Sequence, residues 1–212
     1  QPAAGSAWGR WRVVAIVLRQ NRRDLAAAAV AQTLAQMIRA GRLFLVPVFG
    51  ADVLGLTAAQ VGLIMTISAV IDVSMFVPAG QLMDRFGRKT AAVPSFAVMA
   101  AGVALIPLAE SFGGLLLATA VIGLGNGLGS GTMMTLGADL APRQATGEFL
   151  GVWRLIGDAG GTAGPLVVGS IADLLGLSFA AFALAGIGML AAGTLALFVR
   201  ETLGPAHPMV RA

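Results

Sequence analysis

The chain of 212 residues is 57% apolar and only 11% charged, against about 25% charged in a typical soluble domain. It has no cysteine and one histidine, which excludes disulfide and thiol chemistry and a histidine-rich metal site; no cofactor or metal is implied. The net charge of +4 does not point to nucleic acid, because the basic residues stand at the ends of apolar runs, the pattern of a membrane surface.

The chain begins with Gln1, with no n-region and cleavage site of a signal peptide, and the missing Met is expected of a piece of a longer protein or of processing. Residues 1–24 carry Arg10, Arg12, Arg19, Arg22 and Arg23 with Trp8 and Trp11 interleaved, and read as a basic cytoplasmic connector. Residues 25–200 then hold six apolar runs: Leu25–Phe49, Ala58–Ala79, Thr90–Ala109, Gly113–Ala138, Phe149–Ile171 and Phe179–Val199. Each approaches or exceeds the roughly 20 helical residues that cross a hydrocarbon core. Backbone groups in lipid must pair within their own segment, so the runs predict six membrane-spanning helices, spans one to six. Residues 201–212 read as a cytoplasmic tail, with His207 solvated in it.

The basic residues orient the spans. All but three of the fourteen Lys and Arg lie before span one, after spans two and four, or in the tail; the exceptions are Arg39, Arg42 and Arg154. The loops after spans one, three and five carry only Asp52, Glu110 and Asp173. The positive-inside rule then places both termini in the cytoplasm. An internal repeat accompanies this asymmetry. A shift of 89 residues lays Leu25 on Gly114, Ala58 on Gly147 and Thr90 on Phe179, so span starts fall near span starts. Gly80, Leu82, Asp84 and Gly87 land on Gly169, Ile171, Asp173 and Gly176. Three spans per copy is an odd number, so the second copy is inverted, a pattern of secondary transporter folds.

The densest interior charge cluster is Gly80-Gln81-Leu82-Met83-Asp84-Arg85-Phe86-Gly87-Arg88-Lys89, between spans two and three. Gly80 is expected to admit a neighbouring helix closely. Asp84 is expected to accept from free N–H groups at a helix N-terminus or to pair with an arginine. Gly87 permits a tight reversal, and Arg85, Arg88 and Lys89 hold the loop at an anionic surface. The competing reading is a merely solvated turn.

This stretch resembles the loop signature of the major facilitator superfamily. The resemblance covers residues 8–200 and implies an all-α, polytopic fold, with six transmembrane helices as an inverted three-plus-three repeat, the C-terminal half of a twelve-span transporter. It implies a conformational latch in which Asp84 braces a helix of the missing N-terminal six-helix half, supported by Gly80, Arg85, Gly87 and Arg88. It also implies an acid at the cytoplasmic end of span four within reach of those arginines, so Asp139 or Glu148 is expected to pair with Arg88 or Arg85. Ordinary interfacial charge is the alternative for both acids, Glu148 favouring the start of span five.

Ionisable residues inside spans are costly and are expected to face a cavity or a partner. Arg39 and Arg42 share a face of span one, Asp72 lies in span two, and Arg154 and Asp158 share a face of span five. At about 1.5 Å per residue, Asp158 lies roughly 14 Å and Arg39 roughly 21 Å from the cytoplasmic ends, with Asp72 and Arg154 at roughly 8–11 Å. The family's packing of span one on span five makes Arg39–Asp158 an expected pair, with Asp72 alone or meeting Arg154. The functional readings are anion contact for Arg39 or Arg42 and proton coupling for Asp72 or Asp158; structural salt bridging is the alternative.

Span four holds Gly123, Gly125, Gly127, Gly129 and Gly131 around Asn126. Such small residues allow close packing or bending, and Asn126 is a candidate cavity residue. A phosphate loop is disfavoured, since no Gly-Lys-Ser/Thr follows and no strand precedes. Pro165 is a candidate kink in span five. Met65, Met75, Met133 and Met134 suit adaptable apolar contacts or plain core and lipid packing. The expected activity is alternating-access transport of a small solute coupled to protons, drug or metabolite efflux above all, in a bacterial inner membrane. The partners are the lipid bilayer, the missing half, the solute and H+. The alternatives are a half-size unit acting as a homodimer and a non-transporting receptor or scaffold. A membrane enzyme has no Ser/His/Asp set or metal cluster to support it.

Overall fold

The computed structural model describes residues 7–202; His207, Arg211 and the rest of the tail from 203 on lie outside the described residues. Those described are almost entirely helical: α1 (Ala7–Gln20), α2 (Arg22–Val48), α3 (Ala58–Ser74), α4 (Phe76–Phe86), α5 (Arg88–Leu105), α6 (Phe112–Leu128), α7 (Thr132–Leu140), α8 (Thr146–Leu175) and α9 (Leu177–Phe198). A π-helical turn, Phe49–Val53, extends α2, and a 3-10 turn, Ile106–Leu108, extends α5. Six helical stretches are long and apolar enough to cross a membrane: Arg22–Val53, Ala58–Phe86, Arg88–Leu108, Phe112–Leu140, Thr146–Leu175 and Leu177–Phe198. They extend the apolar runs by up to a few residues at most ends and by seven at the end of span two, because polar residues continue a helix beyond the lipid boundary.

Two spans are broken. Span two divides at Met75, whose N–H reaches back to Asp72 at 3.1 Å, a three-residue turn. Pro78 explains the break. It has no N–H for the carbonyl of Ser74, and its ring is tolerated in the first turn of a new helix but not in a helix interior. Span four divides at Gly129–Gly131, where Gly131 takes φ 77°. α2, α5 and α8 continue through Pro47, Pro94 and Pro165.

The stretch Gly80–Lys89 is not an extended loop. α4 runs to Phe86 and α5 starts at Arg88, leaving Gly87 as the only non-helical residue. Its repeat partner Gly176 joins α8 to α9 in nearly the same way: φ/ψ are 107°/161° at Gly87 and 91°/162° at Gly176. Both lie in the region that favours glycine. Packing follows the same repeat. Span one packs on span five as span four packs on span two, and span one on span six as span four on span three. Spans three and six meet each other across the pseudo-two-fold axis.

Glycine spacing sets two close pairings. Gly123 and Gly127 of α6 bring its backbone against Ser68 and Asp72 of α3. Gly160 and Gly164 of α8 do the same against Thr33 and Met37 of α2. A Cβ at any of the four would strike a carbonyl oxygen of the facing helix. These are small-xxx-small contacts, the device by which helices in lipid gain dispersion contact without a hydrophobic driving force. Gly125, on the other side of α6, faces α5, where a Cβ would lie 2.5 Å from the Met99 nitrogen. Span four is thus clasped on both sides, with Ile122 buried within it and Met99 of α5 buried against it.

Candidate functional site

Polar groups gather at two levels. The first is the end of the bundle that carries the basic residues. α5 begins after Gly87, which has no side chain to cap it, so its first N–H groups need an acceptor from elsewhere. Glu201 supplies it: its carboxylate accepts from Arg88 N at 2.8 Å and Lys89 N at 3.0 Å. The Lys89 ammonium in turn donates to the Ala196 carbonyl at 2.8 Å. The Arg88 guanidinium donates to Asp139 at 3.0 Å, to the Met83 carbonyl at 3.0 Å and to Asp84 at 3.2 Å. Thr202 donates to the same Asp139 oxygen at 2.7 Å. Spans two, three, four and six therefore meet in one network.

That network differs from expectation in several places. Asp84 does not cap a helix, a position that Glu201 occupies, but takes the other expected course and pairs with an arginine, Arg88, while its side chain stays 80% exposed. Gly80 has open space where a neighbour was expected. Of the two acids, Asp139 meets Arg88. Glu148 pairs with Arg10 of α1 instead, because it sits on the first turn of α8, where α1 packs. Arg85 lies over the Phe86 ring at 5.6 Å rather than against an acid. Glu201 and Thr202, placed in a tail by sequence, belong to the bundle. The signal for Glu201 was indirect: an acid directly after the last span, on the same side as a helix start that lacks its own cap.

The second level lies inside the spans. Gly127 lets α6 approach the Asp72 backbone so closely that the Asn126 amide donates to Asp72 Oδ2 at 2.6 Å. Arg42 Nη2 stands 3.7 Å from the same oxygen, with both side chains mostly buried. Asp72 Oδ1, Asn126 Oδ1 and Arg42 Nε are buried and make no hydrogen bond within the described residues. Arg42 and Asp72 line a cavity of about 80 Å³ with Met65, Ser68, Thr119 and Ile122. Asp72 was expected alone or with Arg154; it is directed toward spans one and four, and span five does not border this cavity.

Arg39 was expected to meet Asp158 and does not. Its Nη2 donates to the Gly129 carbonyl at 2.7 Å and its guanidinium lies 5.1 Å from the Phe96 ring centre. The break after α6 leaves carbonyls without helical partners at the negative end of the helix dipole, which attracts a cation. Asp158 instead stands 3.9 Å from Arg154 on its own helix, with both side chains largely exposed. Arg39, Gln36, Asp158 and Thr162 line one open cleft of about 530 Å³. Arg39 and Asp158 thus share a cavity without sharing a bond.

The model for the family described as Major Facilitator Superfamily matches residues 28–211. The chain is 33% identical over 126 residues to a multidrug resistance protein, MdtG, of Enterobacter lignolyticus, covering 59% of this chain and 30% of that protein. It is 32% identical over 147 residues to the uncharacterized MFS-type transporter Rv0849 of Mycobacterium tuberculosis, covering 69% of this chain and 34% of that one. The chain thus spans about a third of the length of these relatives. Among solved structures, the POT family transporter PepTSo superposes with TM-score 0.71 at 16% identity, covering 88% of this chain and 40% of that one. The human organic anion transporter MFSD10 (TETRAN) superposes with TM-score 0.65 at 18% identity, covering 87% and 49%; at these identities the likeness concerns the fold. With six membrane-length helices in an inverted repeat and a family model matched over most of its length, the chain is an integral membrane protein of the major facilitator superfamily.

Proposed function

We propose that the chain is the C-terminal six-helix half of a proton-coupled transporter that exports a small organic solute across a bacterial inner membrane by alternating access. Residues 1–24 serve as the connector to the first half, residues 25–200 as the transmembrane domain, and both termini face the cytoplasm. The observation that carries the reading is the Asp72–Arg42–Asn126 group, an acid, a base and an amide at one cavity wall inside the spans. Charge at that depth is costly unless it works or is paired. A proton on Asp72 would remove its attraction for Arg42 and free the guanidinium for an anionic or polar solute, tying solute binding to protonation. Drug efflux is favoured over import by the multidrug resistance relative.

At the basic end, the exposed carboxylate of Asp84 is available to a helix of the other half, while Arg88, Asp139, Glu201 and Thr202 hold its base in place. That arrangement suits a latch that closes in one state and opens in the other. Gly80, with open space beside it, is a position where the other half can approach.

The test uses the whole protein in proteoliposomes with an imposed pH gradient and a panel of organic cations, anions and neutral drugs. The wild type is expected to move at least one of them faster with the gradient than without. Asp72→Asn is expected to remove the gradient's effect while the protein still binds solute. Asp72→Asn with undiminished gradient-driven transport would transfer the coupling role to Asp158, tested by Asp158→Asn. Absence of flux for every solute would favour the receptor or scaffold reading.

A further inference from the structure

A second apolar recess lies at the basic end, between α1, the start of α2 and the start of α8. We propose that this groove binds an anionic phospholipid, one acyl chain along its apolar walls and the phosphate on Arg22. The groove measures about 190 Å³, and its walls include Leu18, Leu25, Phe149, Trp153 and Ile156. Ala26 and Ala29 line it too, and their small side chains leave the space between α2 and α8 that larger ones would fill. Arg22 is the only charged residue lining it.

Three observations select a lipid and a negative headgroup. First, Arg22 is exposed, and neither it nor Arg12, Arg19 and Arg23 makes an ion pair among the described residues. A cluster of unpaired arginines beside a membrane-level apolar slot recognises a phosphate monoanion by charge and by the guanidinium fork. Second, Trp11, Ala15 and Leu18 share one face of α1, and Trp11 and Leu18 are 48% and 39% exposed. An amphipathic helix showing an aromatic ring, aliphatic residues and arginines lies in the headgroup layer with its apolar side in the acyl chains. Third, the groove uses the Phe149–Val152–Trp153–Ile156 side of α8. The exposed residues Arg154, Leu155 and Asp158 lie about half a turn around the helix. A second half covering the charged side of α8 leaves the groove to the bilayer.

Trp153 makes the proposal testable, since it borders the groove and is otherwise buried, its indole N–H donating to the Met133 carbonyl at 2.9 Å. With Trp8→Phe and Trp11→Phe, Trp153 is the only tryptophan left in the 212-residue chain. That chain would be reconstituted in phosphatidylcholine vesicles containing a fixed share of brominated phosphatidylglycerol or, separately, brominated phosphatidylcholine. Bromine on an acyl chain in the groove quenches the indole by contact. The expected result is stronger quenching by the brominated anionic lipid, with its apparent affinity lowered about fivefold by Arg22→Gln, the effect of one basic residue at a membrane surface. Ala29→Phe, which fills the groove, is expected to abolish the quenching with the arginines intact. Equal quenching by the two lipids would overturn the proposal, as would absence of quenching. Quenching that persists in Ala29→Phe would place the bromines elsewhere and overturn it too.

Discussion

Asp72 has two carboxylate oxygens in unlike surroundings. Oδ2 accepts from Asn126 and faces Arg42, while Oδ1 is buried with no hydrogen bond among the described residues. This carboxylate is therefore only partly satisfied by the protein around it. Burial makes the pair asymmetric in stability. Removing one member of a buried ion pair strands the other, at about 3–5 kcal/mol, whereas removing both can be nearly neutral. Arg42→Met is therefore expected to lower the thermal midpoint in detergent, and Arg42→Met with Asp72→Asn to recover most of it. A double variant no more stable than Arg42→Met alone would show that the two residues are not energetically linked. Arg39 differs, because its guanidinium donates to the Gly129 carbonyl and so braces the break in span four.

At the scale of elements, the two one-residue joints provide a controlled comparison. Gly87 and Gly176 share a backbone conformation that costs an L-residue about 1–3 kcal/mol. A Cβ at Gly176 meets nothing within 4 Å, whereas a Cβ at Gly87 runs into the Glu201 carboxylate. Gly176→Ala is expected to cost only the backbone strain. Gly87→Ala is expected to cost that and the Glu201 cap on α5, so its thermal midpoint should fall further. Equal shifts would mean that Glu201 contributes little to the joint. The broken spans have different causes. Pro78 forces the break in span two by chemistry legible in one residue. Span four breaks where glycines relax the backbone and where Arg39, Ser95 and Thr132 bind the carbonyls of Gly129, Gly125 and Gly129 in turn.

At the scale of the whole molecule, burial is uneven. Within their most apolar windows only 17% of span two and 22% of span five are buried, against 39% or more in the other four. These two spans are equivalents in the repeat, so one pseudo-symmetric face lacks cover on both sides of the axis. It carries Arg154 and Asp158, 77% and 68% exposed at their side chains, charges that lipid does not tolerate. The face therefore calls for protein against it. The chain has no cysteine, which allows a single-cysteine experiment. On the proposed reading, Leu155→Cys carrying a thiol-attached photo-crosslinker, at a position now 69% exposed, is expected to capture the first half in the whole protein. Cross-linking between two copies of this segment instead would establish the half-size homodimer, and rapid labelling by a lipid-soluble thiol reagent would show the face to be bare.

The number of spans, the inverted repeat and the basic end were legible in the chain because each is a one-dimensional property. Bilayer thickness sets a run length, the surface potential sets where Lys and Arg fall, and repeated geometry leaves repeated Gly and Asp, as at Gly87 and Gly176. The pairing of charges was not legible. Arg39, Asp72 and Asp158 were expected to face a partner or a cavity, and Glu148 to meet an arginine after span two, but their partners follow from how each helix is rotated about its axis and how closely neighbours approach. Those quantities are set by contacts such as Gly127 against Asp72 and Gly164 against Met37, between segments far apart in sequence. For the same reason Glu201, lying after the last span, could be recognised as the cap of span three only once span six had been folded back against it.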